Sequence, residues 1–386
     1  MNPKHSPWSD KRQKGQKGYS LIELMISLVI GLVTVLALTQ VAVEFERQKR
    51  TTVGAGDTVD AANVALQLMR NGLMSAGHGI NSANAIGCAL TVYRESNNTT
   101  LTLNAANVAL PGLFPVYITQ GAGTASDTLT VAAGNSRFFA ETGLFSSHAG
   151  DTGNFVTDSN FGFQIRDLIL LTETAGGPCA VRQLSADLSA GNPQELEHQA
   201  GTGVTSYNNP AGVVTAAGVP IAFTGAAMVS DLGSAFTIHQ YTVANGNFQR
   251  AELLTNSTAT LFGNAMTLQA QYGFRNADGT TAWCETIGGA GCLTITNDAS
   301  GWLRLTAVRL ALVIRNPQLE GRDRDGNCTT SPEELTWGDV RRNVVPLPLP
   351  PWGSFSLGGI TDARCYRYQV VETIVPVRNV LWSVPQ

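Results

Sequence analysis

The sequence contains little charge, and it has no lysine after residue 49. Charged residues make up 14% of the 386 residues, against an average of about 25%. The formal net charge of −4 excludes a globally basic nucleic-acid-binding protein. Long charge runs are missing, and 43% of the residues are hydrophobic, which argues against a largely disordered chain. Collagen and coiled-coil architectures are excluded because the sequence shows no fixed repeat.

Motifs of catalysis and of cofactor binding are missing too. The sequence contains no HExxH, no GxSxG, no Walker loop, and no GxGxxG that follows a predicted strand. The absence of CxxC excludes a thioredoxin-like site and a zinc ribbon. The histidines beyond the first 18 residues occur singly, at His78, His148, His198 and His239. We therefore predict a protein that is not an enzyme and that needs no cofactor.

What the sequence does contain is an uneven charge distribution. Residues 1–18 carry a net charge of +4, and the rest of the chain carries −8. Such asymmetry is typical of a leader that is removed or that faces the cytoplasm. The 40 glycines and 16 prolines predict many turns and a β-rich body behind this leader.

Residues 21–43 form a long apolar run, LIELMISLVIGLVTVLALTQVAV. As a helix this run is about 35 Å long, enough to cross a bilayer core of about 30 Å. The positive-inside rule places the basic leader in the cytoplasm and exports the residues after Val43. Two alternatives are a cleaved secretory signal, for which the run is too long and lacks a small-x-small site, and an uncleaved membrane anchor.

Glu23 is the one formal charge in this apolar run. A carboxylate in hydrocarbon costs several kcal/mol unless it is protonated or paired. An ionisable residue near the start of a membrane helix therefore indicates a functional site with a counter-ion. The alternative is that Glu23 lies at the headgroup level and stays solvated, since it is only three residues into the run.

The segment KGYSLIELMISLVIG, from Lys17 to Gly31, resembles the type III signal of type IV pilins and type II secretion pseudopilins. The resemblance implies that prepilin peptidase cuts after Gly18 and methylates the new amine of Tyr19, where most members have Phe. It implies an α+β fold, in which a long N-terminal helix packs on an antiparallel β-sheet with long loop insertions. Half of that helix spans the membrane, and half is amphipathic. Glu23 would then neutralise the amine of a neighbouring subunit during assembly.

Further segments resemble the minor pilin family PilW. They are LQLMRNGLMSAGHG (66–79) with Gly87-Cys88, AMTLQAQYGF with Asn276–Gly279, and CYRYQVVETIVPVRN up to Asn379. The family resemblance implies a minor pilin in a tip complex that primes pilus assembly, supports adhesin display and serves cell adhesion and twitching motility. Its partners would be other minor pilins, the major pilin, a tip adhesin, prepilin peptidase and the inner-membrane assembly platform. The alternatives are a J-type pseudopilin and a membrane-anchored binding module.

We divide the chain into a leader (1–18), a hydrophobic transmembrane and assembly helix (19–53), and a periplasmic or extracellular β-rich domain (54–386). The protein would thus cross the inner membrane once, with its N-terminus in the cytoplasm, before it reaches the pilus. The glycines around Gly54 weaken the helix, and Asp57 or Thr58 would cap a restart as an amphipathic helix over 57–77. Its apolar face would contain Val59, Ala62, Leu66, Met69 and Leu73. Strands are predicted at 89–95, 128–132, 167–172, 236–243, 247–254, 265–274, 302–315 and 366–377, with long loops at 104–126, 134–160 and 186–230.

The six cysteines all follow the membrane run, in a compartment where disulfides form. Cys284 and Cys292 flank a glycine-rich turn and are the favoured pair. Cys328–Cys365 and Cys88–Cys179 complete one of several possible connectivities.

A possible cation loop lies at 323–334. Its oxygen-bearing side chains have the spacing of EF-hand ligands, and they are Asp323, Asp325, Asn327, Thr329, Ser331 and Glu334. Two features weaken the match: Cys328 occupies the position that needs glycine, and no helix is predicted before the loop. Ca²⁺ binding is therefore one interpretation, and an ordinary acidic turn is the alternative.

Overall fold

A computed structural model describes thirteen stretches of the chain. They are 18–80, 82–103, 110–122, 125–148, 150, 153–186, 194–201, 206–286, 299–320, 322, 325–337, 353–357 and 362–379. The chain divides into two compact units, Met1–Val53 and Gly54–Gln386, and each is described by itself below. The predicted leader, residues 1–17, lies outside the described residues.

The described residues form two α-helices, three short 3-10 helices and nineteen strands. The α-helices are α1 (Leu21–Ser75) and α2 (Ala299–Trp302), and the 3-10 helices are Ala83–Ala85, Glu95–Asn97 and Ala363–Cys365. The strands are β1 (Ala89–Arg94), β2 (Thr99–Leu103), β3 (Val116–Thr119), β4 (Thr128–Ala133), β5 (Glu141–Gly143), β6 (Phe155–Val156), β7 (Leu168–Thr172), β8 (Pro178–Gln183), β9 (Glu195–Leu196), β10 (Met228–Gly233), β11 (Thr237–Ala244), β12 (Asn247–Glu252), β13 (Ser257–Gly263), β14 (Ala265–Arg275), β15 (Thr281–Cys284), β16 (Leu305–Leu319), β17 (Glu334–Trp337), β18 (Gly353–Ser356) and β19 (Tyr366–Pro376). This composition confirms the predicted α+β class with one long N-terminal helix.

Helix α1 is continuous, so the predicted restart at Asp57 or Thr58 is wrong. Instead of capping a new helix, the Thr58 hydroxyl donates to the carbonyl of Gly54 at 2.7 Å, within the helix. Gly54 has a packing role, because a Cβ built on it would lie 2.7 Å from Oδ1 of Asn316 on β16. The glycine therefore lets a strand approach the helix closely, and the cost of about 1 kcal/mol in helix propensity does not break it.

The buried face of α1 in the second unit repeats every three or four residues. It consists of Gly54, Thr58, Ala62, Ala65, Met69 and Leu73. Two predicted members differ: Val59 is 40% exposed, and Leu66 is only partly buried against the core. The true stripe is narrower because the small residues Ala62 and Ala65 bring the helix close to the sheets.

Two residues hold the C-terminal end of α1: Gly77, which follows the last turn, and Asn379, which follows β19. Gly77 adopts φ 79°, the left-handed conformation that stops helices, and its N–H donates to the carbonyl of Ala132 at 2.9 Å. The side-chain amide of Asn379 donates to the carbonyls of Met74 (3.2 Å) and Ala76 (3.3 Å). These bonds satisfy carbonyls that a helix end leaves without a partner.

Three larger sheets and two small ones make up the second unit. Their strand orders are β2-β1-β8-β7-β10-β5, β13-β12-β11-β4-β3, β15-β14-β16-β19, β17-β18 and β6-β9. Neighbouring strands are antiparallel except β1 and β8, which pair in parallel. The α1 stripe packs into one core with residues of the five-stranded and four-stranded sheets, including Tyr241, Leu268 and Leu310.

The six-stranded sheet is covered on both faces. Leu168 and Leu170 of β7 belong to one core cluster, and Ile169 and Leu171 belong to another. Successive side chains of a strand point to opposite faces. The continuous apolar run LILL therefore indicates that both faces of the sheet at β7 are covered. The second of these clusters includes Leu144, Phe155 and Phe223, which lie in the stretches that we predicted as long loops.

All eight predicted strands overlap strands of the structure. The predicted strand 302–315 begins later, at Leu305, because Trp302 ends α2, and it continues to Leu319. The predicted loops contain the short strands β3, β5, β6, β9 and the start of β10. They were missed because these strands are only two to six residues long, too short for a clear alternating pattern.

Candidate processing and assembly site

The predicted cleavage site lies immediately before α1. Gly18, Tyr19 and Ser20 precede the helix, and the Leu24 N–H donates to the Ser20 carbonyl at 3.1 Å. Ser20 thus occupies the N-cap position and Glu23 the third helical position, the arrangement of a capping box. The S-x-x-E spacing is visible in the sequence, but Ser20 is not among the predicted site residues. The negative charge of Glu23 is also favoured at the positive end of the helix dipole.

The fold of the chain does not need a glycine at position 18. A Cβ built on Gly18 would meet nothing within 4 Å among the described residues, and the φ of Gly18 lies outside the left-handed region. Glycine is usually required where a turn or close packing excludes a side chain, and neither applies here. A requirement for glycine at this position would therefore come from a molecule that recognises this peptide.

The apolar half of α1 is suited to a membrane. It contains the one helix window in the described residues that is long and apolar enough to cross a bilayer, with a mean hydropathy of 2.6 and none of it buried. The hydroxyls of Ser27, Thr34 and Thr39 donate to carbonyls of their own helix at 2.7–3.0 Å. In lipid, polar groups must be satisfied internally. These three hydroxyl groups meet that condition, which leaves Glu23 as the charged group of the run.

Glu23 and Tyr19 together make an acid and a prospective base at one end of this helix. Tyr19 is 84% exposed, so the bond that follows Gly18 is accessible. Cleavage there would create an α-amine four residues before Glu23. An ammonium and a carboxylate attract each other far more strongly in a low dielectric than in water. The segment can therefore act as a charge pair either within one chain or between two chains.

Comparison with known proteins agrees with this geometry. Residues 13–39 match the family described as the prokaryotic N-terminal methylation motif. The match supports a type IV pilin or pseudopilin, and it indicates a structural, membrane-anchored protein rather than an enzyme. No curated protein and no solved structure matches the chain.

The five cysteines that the structure describes lie in the second unit and are in disulfides. The structure joins Cys88 with Cys179 and Cys328 with Cys365, the two pairings that completed the expected connectivity. The first links the residue before β1 to β8, the parallel partner of β1. Cys284 is also in a disulfide, and Cys292, its expected partner, lies outside the described residues.

The residues of the predicted cation loop have several different surroundings. Asp323 lies outside the described residues. The buried Ser331 hydroxyl donates to the carbonyl of Tyr366 at 2.7 Å, and Glu334 begins β17 opposite Ser356. Asp325, Asn327 and Thr329 are exposed. Cys328, Cys365 and Asp362 lie close enough to hold an ion, but both sulfurs belong to a disulfide. Ca²⁺ binding by this loop stays a prediction.

The histidines do not form a catalytic group, but two of them lie in a buried polar cluster. The Nδ1 of His198 accepts from the Nε of Arg182 at 3.4 Å, and His148 lies beside His198 with ring centroids 5.6 Å apart. Burial lowers the pKa of His198 to about 3, with the nearby Arg182 as the second cause. The imidazole is therefore neutral at pH 7. Guanidinium bonds to the carbonyls of Gly212 and Asn209 show that the cluster ties loops together.

Proposed function

We propose that this chain is a minor pilin of the type IV pilus, of the PilW type. It would act in a tip complex that primes filament assembly and supports the display of an adhesin. The sequence around Gly18 supports the wider class, and two features of the second unit support the narrower one.

The observation that carries the proposal is the register of the N-terminal segment. A glycine without a role in the fold, an exposed Tyr19 and the carboxylate of Glu23 precede an apolar helix in the order that a prepilin signal requires. A secretory signal does not need Glu23 at that position. An ordinary membrane anchor would not place a charged residue in the run without a partner.

The PilW-like segments have structural roles around the end of α1. The Ala76-Gly77 pair ends the helix, and Asn379, at the end of the C-terminal segment, bonds to its last carbonyls. Two of the resembling segments therefore meet at one place, which supports a shared framework rather than scattered identities. Long insertions that fold into their own core cluster make a large, individual surface, as a subunit at a filament tip would need.

A type II secretion pseudopilin is the second candidate, because the methylation motif that residues 13–39 match fits it equally well. The two functions differ in the assembly that the mature chain joins. Co-purification with sheared pili supports the first, and co-purification with the secretion machinery alone supports the second.

The decisive experiment is mass spectrometry of the mature N-terminus of the chain expressed in a pilus-bearing host. We expect a chain that begins with N-methylated Tyr19. Gly18→Ala should leave the leader attached, although it disturbs no contact in the fold. Gly31→Ala is the matched control: a Cβ there also meets nothing within 4 Å among the described residues, so processing should be unchanged.

Retention of Met1 in the wild-type chain, or a cut near Ala42, would contradict the proposal and favour a membrane-anchored binding module. Normal processing of Gly18→Ala would also contradict it.

A further inference from the structure

A cleft that is open to solvent lies between the loops around β5, β7 and β10. With the open solvent at its mouth included, its empty volume is about 560 Å³. The buried residues Asp167 and Asp231 lie at its floor, and exposed residues that include Arg137, Phe138, Gln164 and Arg166 form its walls. No sequence motif indicates a function for this part of the chain.

The two carboxylates at the floor are held in place differently. Both oxygens of Asp231 are occupied: Oδ2 accepts from the hydroxyl of Ser136 at 2.5 Å, and Oδ1 accepts from the N–H of Gly233 at 2.7 Å. In Asp167, one oxygen accepts from the N–H of Gln164 at 2.8 Å. The other oxygen has no hydrogen-bond donor within the described part of the chain. Asp167 is 92% buried, so it presents to the cleft a fixed acceptor that no described residue occupies.

The charges of the cleft are balanced. The pKa of Asp167 is raised to about 6, chiefly by burial and also by the charge of Asp231, against the lowering effects of the Gln164 N–H and of Arg137. Arg137 and Arg166 both line the same cleft as the two aspartates. The site offers both strong acceptors and strong donors, with no net charge.

Phe138 lines the cleft, and Phe161 directly precedes Gly162 of the lining. Phe138 is 56% exposed and Phe161 is 85% exposed. They belong to segments that approach closely, because a Cβ built on Gly162 would lie 2.9 Å from the Cβ of Ala140 and 3.3 Å from that of Phe138. Burying a phenylalanine gains about 1.5–3 kcal/mol, so two exposed rings beside a polar cleft indicate a surface that a ligand covers.

The backbone at Arg166 is strained. Its φ is 72°, which costs a bulky residue about 1–3 kcal/mol and is tolerated mainly at ligand clamps and active sites. The surroundings enforce it: the Arg166 N–H donates to the carbonyl of Leu184 at 3.0 Å, and the Arg166 carbonyl accepts from the amide of Gln183 at 3.0 Å. The strain fixes where the Arg166 side chain leaves the main chain, at the wall of the cleft.

The geometry points to a neutral saccharide as the ligand: we propose that this cleft binds a sugar residue of a glycan. Sugar hydroxyls both donate and accept, so they can bond to the free oxygen of Asp167 and to the guanidinium groups at once, while an apolar ring face packs on Phe138. A bare cation would lie against Arg137 and Arg166, and it would find the oxygens of Asp231 already bonded. An anion such as phosphate would face two carboxylates.

This proposal goes beyond the proposed function and does not depend on it, because the cleft lies entirely in the second unit. A failure of the processing experiment would leave the cleft unaffected, and a failure of saccharide binding would leave the pilin assignment unaffected.

The test uses the full-length chain in lauryldimethylamine oxide micelles, since the headgroup of this detergent contains no sugar. Saturation-transfer NMR screens the methyl glycosides of glucose, galactose, mannose, fucose, N-acetylglucosamine and N-acetylgalactosamine. Calorimetry with calcium chloride and with sodium phosphate provides the rival probes. We expect at least one glycoside to bind, and neither ion to compete with it.

Three variants locate the binding. Asp167→Asn keeps the shape of the side chain but removes the charged acceptor, and Phe138→Ala removes the packing surface; each should weaken the Kd of the bound glycoside about tenfold or more. Phe145→Ala is the control, because Phe145 is 68% exposed but does not line the cleft, and its Kd should stay unchanged.

The fold is checked by the Tm of each variant. If Asp167→Asn does not fold, Phe138→Ala decides alone, since its side chain is more than half exposed. Absence of binding by every glycoside would overturn the proposal. So would glycoside binding that neither variant weakens, or ion binding that Asp167→Asn abolishes.

Discussion

The two halves of α1 differ in what can cover their apolar side chains. In the first unit, apolar side chains on every side of the helix are more than half exposed, from Leu21 to Phe45. In the second unit, the buried residues from Gly54 to Leu73 recur every three or four positions and contact two sheets. An all-round apolar surface suits a lipid environment or neighbouring helices. A single stripe suits one protein face.

This difference shows that the sequence specifies the two halves of one helix in different ways. The first half is specified by a hydrophobic run, and no side chain in that run is buried. The second half is specified by position, because Ala62 and Ala65 must be small where the sheets approach. Two carboxylates of the chain also differ in burial. Glu23 is exposed at the start of α1, whereas Asp127, which directly precedes β4, is buried and hydrogen-bonded in the core.

The largest effect is expected for Glu23→Ala. Removal of one partner of an ion pair in low dielectric costs about 3–5 kcal/mol, so incorporation into filaments should fall about 100-fold or more. The stability of the second unit should not change. Quantitative immunoblotting of sheared filaments against the membrane fraction measures the loss.

Glu44→Ala is the matched control, because Glu44 is an exposed glutamate of the same helix outside the apolar run. It should be incorporated like the wild type. Equal incorporation of both variants would remove the proposed role of Glu23 and leave it as a solvated headgroup residue.

A smaller effect is expected when an apolar residue of each half of α1 is replaced by alanine and the free energies of unfolding are compared. Met69 is completely buried in the stripe, so Met69→Ala should lower the free energy of unfolding of the second unit by about 2–5 kcal/mol. Leu36→Ala, at a 52% exposed position of the first half, should change it by less than about 0.5 kcal/mol. Denaturant unfolding of the full chain in micelles measures both. Similar losses in the two variants would show that the halves are not independently specified.

The smallest effect concerns the pH dependence of the buried carboxylate. Burial raises the pKa of Asp127 to about 6, even though its oxygens accept from the N–H groups of Gly121 and Ala270. The folded state therefore holds the proton more tightly than the unfolded state, in which the pKa is about 3.9. Stability from this group is greatest at low pH and is lost as the pH rises from about 4 to about 6.

The comparison with Asp127→Asn isolates this contribution. The stability of the wild type relative to the variant should fall across that pH range and then stay level, because other titrating groups cancel in the difference. Chemical denaturation at several pH values measures it. A difference that is independent of pH would show that the pKa of Asp127 is not raised.

Strands with strong local patterns were predictable, and strands that depend on a neighbour were not. β14, β16 and β19 are long and rich in apolar and β-branched residues, and the predicted strands overlap all three. β8 (Pro178–Gln183) begins with proline and has little alternation. It is a strand because β1 and β7 pair with it on either side, a long-range fact that a local pattern does not contain.

The two candidate sites differ in the same way. The predicted processing segment is continuous, so Gly18, Tyr19 and Glu23 could be proposed as site residues from the resemblance of one short segment to the prepilin signal. The cleft combines Arg137, Asp167 and Asp231 from three separate stretches. None of these residues has a sequence neighbour that indicates a ligand, because their common position arises only when β5, β7 and β10 pair.

The sequence by itself determined the apolar run, its cationic leader, the acidic residue at its start and the helical stripe behind it. These are local patterns whose energetics depend on neighbours within a few residues. Only the tertiary structure decided that α1 passes Gly54 without a break, which loop segments form short strands, and where charged and aromatic side chains meet in a cleft. Those outcomes depend on contacts between distant parts of the chain, and the free energy of such contacts does not appear in any one segment.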